Sequence, residues 1–476
     1  MSDPAAPILE QPVPTAAAGE RSAIVVGAGI AGIAAALRLA ENGVRVTLLE
    51  TRRKLGGRAT SFQDVRSGEV LDNCQHVAMA CCVNYLDFLR RLGVADKLRW
   101  TNTTYWVEKG GRVSTLRPGL LPAPGHMAMS FATTRFLSIR DKAAIARAML
   151  AMLRIRDRRS HRGATFGQWL ADHGQPKSAI ERFWAPVVVS ACNLPVDRVD
   201  AACALHVFLD GFLATKDASR MAVAAVPLVD LYDPAEGALR AAGGQLRLGV
   251  SVERLDARSV TTSSGETLTA DSVVCAVTPE RAAKIIDPAL FAADPRFASL
   301  ERFTFSPILG VHLLFDRPAM DLPHAVLVNR PTQWIFNKSL AVGGTPGEAQ
   351  RLHAVISAAD DWMDFTEDQI ADRVLADIHV CFPEARAVKL LSARPVKEKR
   401  ATFAATPEIE AIRPAQSGPS GLYLAGDYTD TGWPATMEGA ARSGYLAAAA
   451  ILGRSRDWAL TPDPKAAALV RAMSRL

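Results

Sequence analysis

Gly27-x-Gly29-x-x-Gly32 follows the apolar run Ala23–Val26 and leads into an alanine-rich run, Ile33 to Asn42, closed by Gly43. A second apolar run, Val44 to Glu50, ends on a carboxylate 23 residues after Gly27. The spacing predicts a buried strand, a tight turn, a helix and a second strand. Gly27 then makes the turn, Gly29 lets the backbone approach a pyrophosphate, and Gly32 lets helix and strand pack closely. The helix start, at Ile30 and Ala31, offers unpaired N–H groups to the phosphates. Glu50 is placed to accept hydrogen bonds from the 2′- and 3′-hydroxyls of a ribose, which favours an adenosine without a 2′-phosphate.

A second set follows at once. Leu55-Gly56-Gly57-Arg58-Ala-Thr-Ser61 resembles the second glycine motif of the glutathione-reductase-like flavoproteins, in which paired glycines let the chain pass the cofactor and an arginine meets its phosphates. A nicotinamide domain has no need of it, so the expected cofactor is FAD. A third set closes the chain. Gly421-Leu-Tyr-Leu-Ala425-Gly426-Asp427 reads as a strand ending in Gly-Asp, where the Asp427 carboxylate can hold the ribityl hydroxyls. Gly432 to Ala440, including Thr436 and Met437, then opens an alanine-rich helix running to Leu452. A helix N-terminus directed at flavin N1 and O2 would stabilise the negative charge of the reduced ring.

Elements able to carry these residues fit within 476 residues, enough for two or three domains, with 49% hydrophobic content. No segment reaches 18 uninterrupted apolar residues, so no transmembrane helix is expected. The first 20 residues hold four prolines and no lysine or arginine, and read as a disordered tail, not a signal peptide. Seven cysteines, including adjacent Cys81 and Cys82, argue for a reducing, cytoplasmic setting. Without a Cys-x-x-Cys pair, zinc is not expected. The net charge of +6 is not accompanied by any nucleic-acid motif, which leaves an anionic membrane as its better partner.

The region from Arg117 to Arg162 is apolar and irregular up to Phe131, and Ile139 onward reads as a basic amphipathic helix. Its apolar stripe is Ile145, Met149, Met152 and Leu153, with Arg147, Arg154 and Arg158 opposite. Such a segment suits membrane contact over 115–160, or a core-facing helix with a solvated basic side. Tyr85 to Leu92 has helical spacing. Thr165 to Leu213 reads as helical, interrupted at Pro186 and at Asn193-Leu-Pro195. Its aromatics Trp169, Phe183, Trp184, Phe208 and Phe212 suit either a core or a large apolar ligand. From Gln245 the period changes to two, with strands over 245–255, 260–262 and 267–276. Residues 286–414 read as a mixed block, with strands near 310–315, 325–329, 333–337 and 353–357 and a helix over 360–380.

With these residues in view, the chain resembles the flavin amine oxidase and phytoene desaturase superfamily and, within it, the hydroxysqualene dehydroxylase family, over residues 22 to about 453. The narrower resemblance rests on Leu71-Asp-Asn-Cys-Gln-His-Val77, Ala191-Cys-Asn-Leu-Pro195, Lys399-Arg-Ala-Thr-Phe403 and the run Gly426 to Ala440. Two positions depart from the pattern: Cys74 stands where glycine is expected, and Tyr428 where tryptophan is. The resemblance implies an α/β fold, a Rossmann-like FAD-binding domain of the glutathione-reductase-like type with a second, mixed α+β substrate domain. The cofactor domain is expected from 20–80, 235–285 and 415–455, the substrate domain from 81–234 and 286–414, and a peripheral segment from 456–476. Val252 is the expected backbone contact to adenine.

The activity implied is reductive removal of an allylic hydroxyl from hydroxysqualene. That reaction needs a general acid as the C–O bond breaks. His76 is the first candidate, beside Gln75 in the wall of the site, with Asp72 and Asp430 as further candidates. A phytoene-type desaturase, running the same cofactor in the oxidising direction, is the alternative; an amine oxidase and a non-enzymatic FAD-binding partner of a prenyl synthase are others. The expected partners are an apolar isoprenoid, an anionic membrane surface holding the protein peripherally, and an upstream prenyl or squalene-type synthase.

Overall fold

A computed structural model of the chain describes residues 21–343 and 349–473, so the tail expected over 1–20 lies outside the described residues. Five parallel strands form the first sheet in the order Gln245–Leu248, Arg45–Glu50, Ser22–Val26, Ser272–Cys275, Tyr423–Leu424. Three distant stretches of sequence therefore meet at its C-terminal edge, which is where ligands sit in such sheets. The turn after the central strand is held by Gly27 N–H donating to the Leu49 carbonyl at 2.7 Å. A Cβ on Gly32 would fall 1.8 Å from the Gly27 carbonyl oxygen, so the following helix, Ile30–Ala40, can start there only from glycine. The same helix crosses the last long helix, Met437–Leu452, at Gly444, where a Cβ would sit 2.2 Å from the Ala31 oxygen. Alanines on both helices fill the remainder of that crossing.

The second sheet is mixed and seven-stranded, in the order Leu390–Phe403, Phe305–Phe315, Gln350–Ser357, Trp334–Asn337, His324–Leu327, Thr104–Val107, Val113–Leu116. Alternation along its strands separates two faces. Leu309, Val311, Leu313, Leu352, Ala354 and Ile356 bury against the helix Glu367–Cys381. His312, His353 and Val355 fall on the other face, toward Cys74 and the candidate site.

Several boundaries differ from the sequence reading for identifiable reasons. The strand expected over 245–255 is two strands in different sheets, because Gly249 takes a positive φ of 74° and turns the chain between them. Pro186 does not interrupt its helix. A wide turn over Ile180–Trp184 precedes it and removes the need for its missing N–H. The helix Ile139–Met152 ends before Arg154 and Arg158, so those arginines do not continue its basic side; Arg158 instead donates to the Gly432 carbonyl at 2.8 Å. Phe183, Trp184 and Phe208 are buried against one another as core, and Trp169 joins them through Phe166, on which it stacks. The segment expected to be peripheral over 456–476 is tied to the body at 461–463: buried Arg442 takes Asp463 as a counter-ion at 2.6 Å, and Thr461 N–H donates to Asn84 at 2.8 Å.

Candidate active site

The first turn of the helix Ile30–Ala40 carries no acidic side chain, and its N-cap, Gly29, supplies no side-chain oxygen. The N–H groups of Ile30, Ala31 and Gly32 are thus left for an external anion. The two glycine loops are joined: Gly56 N–H donates to the Ala28 carbonyl at 3.0 Å, and a Cβ on Gly57 would stand 3.1 Å from Gly29 Cα. Bare backbone therefore faces bare backbone. Glu50 closes the loop from the other side, accepting from Ala28 N–H at 2.7 Å and Arg52 N–H at 2.8 Å. A carboxylate has about four acceptor positions, so ribose hydroxyls can still be held there. Val252 begins its strand with its carbonyl accepting from Arg281 at 2.8 Å. At the far end Thr436 caps the helix Met437–Leu452 through Gly439 N–H at 3.0 Å, and Ala440 N–H makes the first helical bond to the Thr436 carbonyl, also at 3.0 Å.

Arg58 ties these pieces together. Its guanidinium donates to Asp427 at 2.5 Å and to the Ala401 carbonyl at 3.0 Å, while Asn73 donates to its backbone carbonyl. Asp427 thus has one oxygen committed to Arg58. Arg413, which the sequence did not single out, and Asn193, from the run 191–195, complete the scaffold. Arg413, buried, pairs with Glu410 at 3.0 Å and donates to the carbonyls of Asp427, Thr429 and Trp433 at 2.8, 2.6 and 2.7 Å. Asn193, in the left-handed conformation at φ 54°, donates to Thr402 at 2.9 Å and to the Ser306 carbonyl at 3.0 Å. The runs 71–77, 191–195, 399–403 and 426–440 are therefore neighbours in space.

Lys338 is the other residue missed. Its ammonium lies 3.1 Å from Asp72 Oδ2 and 3.3 Å from Gln75 Oε1. Asp72 is otherwise engaged by Ser61 Oγ at 2.8 Å and Leu228 N–H at 2.9 Å, and its carbonyl accepts from His312 Nε2 at 2.8 Å. Both carboxylate oxygens are thus committed to donors within the protein, Oδ1 to Ser61 and Leu228 and Oδ2 to Lys338, which makes Asp72 a positioning residue. Asp430 is excluded too: it is a half-exposed surface carboxylate facing Arg162 at 3.4 Å and Gly432 N–H at 3.3 Å.

His76 is held by its Nδ1 against the Cys74 carbonyl at 3.1 Å. Because a carbonyl only accepts, Nδ1 carries the hydrogen, and in the neutral ring Nε2 keeps its lone pair. Burial pushes the imidazole below its ordinary range. A neutral ring in this tautomer takes a proton more readily than it gives one, which corrects the expectation of His76 as the acid. Gln75 spans the gap, donating to the His76 carbonyl at 3.0 Å while accepting from Lys338. Cys74 is inert, its thiol pushed up to about 12 by burial against Phe336 and Val355.

Burial also lowers His312, His324 and His353, the second sheet's histidines, with His324 brought from 6.5 to about 4. For a base depressed in the folded state, stability is fully present above the unfolded pKa and is lost as pH falls toward the folded one. The denaturation midpoint is therefore expected to drop between pH 6.5 and about 4, with His324 alone accounting for on the order of 3 kcal/mol. His324→Phe should flatten that part of the profile relative to the parent; an unchanged slope would contradict it.

Comparison with known proteins agrees with this geometry. The family described as flavin containing amine oxidoreductase matches residues 30–452. The 15-cis-phytoene desaturase of Narcissus pseudonarcissus is 27% identical over 458 residues, covering 90% of this chain and 79% of that one. Its counterpart from Synechococcus elongatus is 26% identical, covering 91% and 96%. The solved structure of cyclohexylamine oxidase from Brevibacterium oxydans shares the fold, with a TM-score of 0.66 at 18% identity over 91% of this chain and 99% of that one. FAD, the cofactor characteristic of the family, fits the residues present: the uncapped helix start and facing glycines suit a pyrophosphate, Glu50 a ribose, and Asp427 with the Thr436-capped helix a flavin. The chain belongs to the flavin-containing amine oxidoreductase family, with FAD as its cofactor and an α/β fold built around a five-stranded parallel sheet and a seven-stranded mixed one.

Proposed function

We propose that the chain is an FAD-dependent oxidoreductase acting at an allylic carbon of a long isoprenoid hydrocarbon, in the direction of desaturation. Phytoene desaturases at 26 to 28% identity spanning nine-tenths of the chain support the substrate class. The observation that carries the direction is the hold of His76 Nδ1 on the Cys74 carbonyl at 3.1 Å, which leaves Nε2 as the ring position able to take a proton. Desaturation removes a hydride from one carbon and a proton from its neighbour as the double bond forms. Bound FAD supplies the hydride acceptor. The chain supplies the proton acceptor, His76, oriented by Cys74 and Gln75. It also supplies an apolar wall of Val77, Val223, Ile308, Trp334 and Phe336, which excludes water from a cationic centre.

Reductive dehydroxylation of hydroxysqualene is the second reading. It is favoured by the four runs that resemble that family and that meet around Arg58, Asn193 and Asp427. It requires a proton donor, a role that neither Asp72 nor Asp430 is placed to fill. The two readings separate in cells engineered to accumulate either phytoene or hydroxysqualene. Expression of the chain is expected to convert phytoene to products with longer conjugation and to leave hydroxysqualene intact. Squalene formation from hydroxysqualene would reverse the direction, and no change in either lipid would remove the isoprenoid assignment.

A further inference from the structure

The sequence between Arg117 and Arg156 holds seven lysines and arginines against a single acid, Asp141. That acid is buried and occupied in capping Ser138. The same stretch carries the most exposed large apolar side chains of this part of the molecule: Leu120 is 100% exposed, Ile139 86% and Met129 67%. Local bonds tie the segments that carry them to one another. Gly119 N–H donates to the His126 carbonyl at 2.7 Å, closing the loop that displays Leu120 and Leu121. Ser130, on the helix Ala128–Thr133, donates to the Arg117 carbonyl at 2.8 Å, and Lys142 reaches back to the carbonyls of Ala132 and Thr134 at 2.7 and 2.6 Å.

The helix Ile139–Met152 has two apolar faces. Ala144, Ile145, Ala148 and Met152 are buried inward. Ile139, Ala143, Ala146 and Leu150, at steps of four, three and four, form an exposed stripe on the opposite side. A core-facing helix needs only the first. At 100° per residue, Arg140 and Arg147 flank the outer stripe on one edge and Lys142 on the other. An apolar stripe edged by cations and clear of acids matches the boundary between acyl chains and anionic headgroups.

We propose that this surface, the outer stripe of helix 139–152 with the loop around Leu120 and Leu121, docks on an anionic lipid bilayer. Leucine, isoleucine and methionine side chains enter the acyl layer while Arg140, Arg147 and Arg135 remain among the headgroups. Behind the surface lies an aromatic layer in which Phe131 packs edge-on to Phe183 at 5.7 Å and Trp106 stacks on Phe136 at 4.8 Å. A role in passing an apolar substrate from the bilayer rests on the isoprenoid function proposed above. The docking itself does not.

The test is flotation of the FAD-loaded full chain with phosphatidylcholine vesicles, with and without phosphatidylglycerol. Binding is expected only with the anionic lipid and is expected to weaken in high salt. Leu120→Ser with Ile139→Ser should lower the partition at least about tenfold, and Arg140→Gln with Arg147→Gln roughly fivefold or more. Flavin absorbance and circular dichroism of each variant establish that it is folded. Equal partition onto neutral and anionic vesicles, or partition unchanged in both folded variants, overturns the proposal. So does the absence of any flotation, which would assign the surface to a protein partner. Since no substrate is present, failure here leaves the isoprenoid function standing, and failure of that function leaves the docking standing.

Discussion

Arg413→Met is expected to lower the stability of the folded protein by about 3–5 kcal/mol and to abolish retention of FAD through purification. The side chain is buried and serves Glu410 together with the carbonyls of Asp427, Tyr428, Thr429 and Trp433. Methionine fills most of the volume but leaves the Glu410 carboxylate without its cation and the loop that carries Asp427 without its donors. An uncompensated buried charge costs more than the pair contributes, so Arg413→Met with Glu410→Leu should regain part of the stability but not the FAD, since the carbonyls stay unpaired. Urea denaturation and flavin content measure the two effects. A loss below about 1 kcal/mol with normal flavin content would show that the loop holds its shape without Arg413.

Lys338→Met is expected to separate orientation from cofactor binding. Lys338 bonds Asp72 and Gln75, and Gln75 in turn bonds the His76 carbonyl. Removing the ammonium frees Gln75 and leaves Asp72 with Ser61 and Leu228 as its remaining donors. Turnover is expected to fall about 10²-fold, the scale of a misplaced proton-transfer group, while FAD still binds. Asp72 is buried, so stability should also drop, by about 2 kcal/mol or more. Lys338→Arg separates positioning from structure: it should recover most of the stability and little of the turnover, because a longer planar head cannot meet both oxygens in the same way. Equal recovery of both would make Lys338 structural only.

The glycine loops were legible because their constraints are local. Gly32 answers to the Gly27 carbonyl five residues away, and a spacing in the sequence records that directly. The same holds for Thr436, whose cap is satisfied within one helical turn. What the sequence concealed were long-range partners. Lys338 meets Asp72 across 266 positions and Asn193 meets Thr402 across 209, so neither run announces the other. Asp72 and Asp430 look alike as acids on paper. One is ion-paired inside the molecule and the other on its surface, a difference made by Lys338 and Arg162 and by no neighbour in sequence. The strand Leu390–Phe403 escaped periodicity because it is charged and contains Pro395. As the edge strand of its sheet it tolerates both. Pro186 misled for the converse reason, its cost being met by the wide turn before it.

The measurement that bears most directly on the central claim is an anaerobic single turnover. Oxidised FAD-loaded protein is mixed with 15-cis-phytoene in detergent while the blue absorbance band of the flavin is followed, and reduced protein is mixed in parallel with hydroxysqualene. Bleaching of the oxidised protein in step with formation of a more conjugated polyene, abolished in His76→Ala with the flavin still bound, is the predicted result. An oxidised flavin that stays yellow with phytoene, beside a reduced flavin that regains its colour as squalene forms, would contradict the direction and restore dehydroxylation.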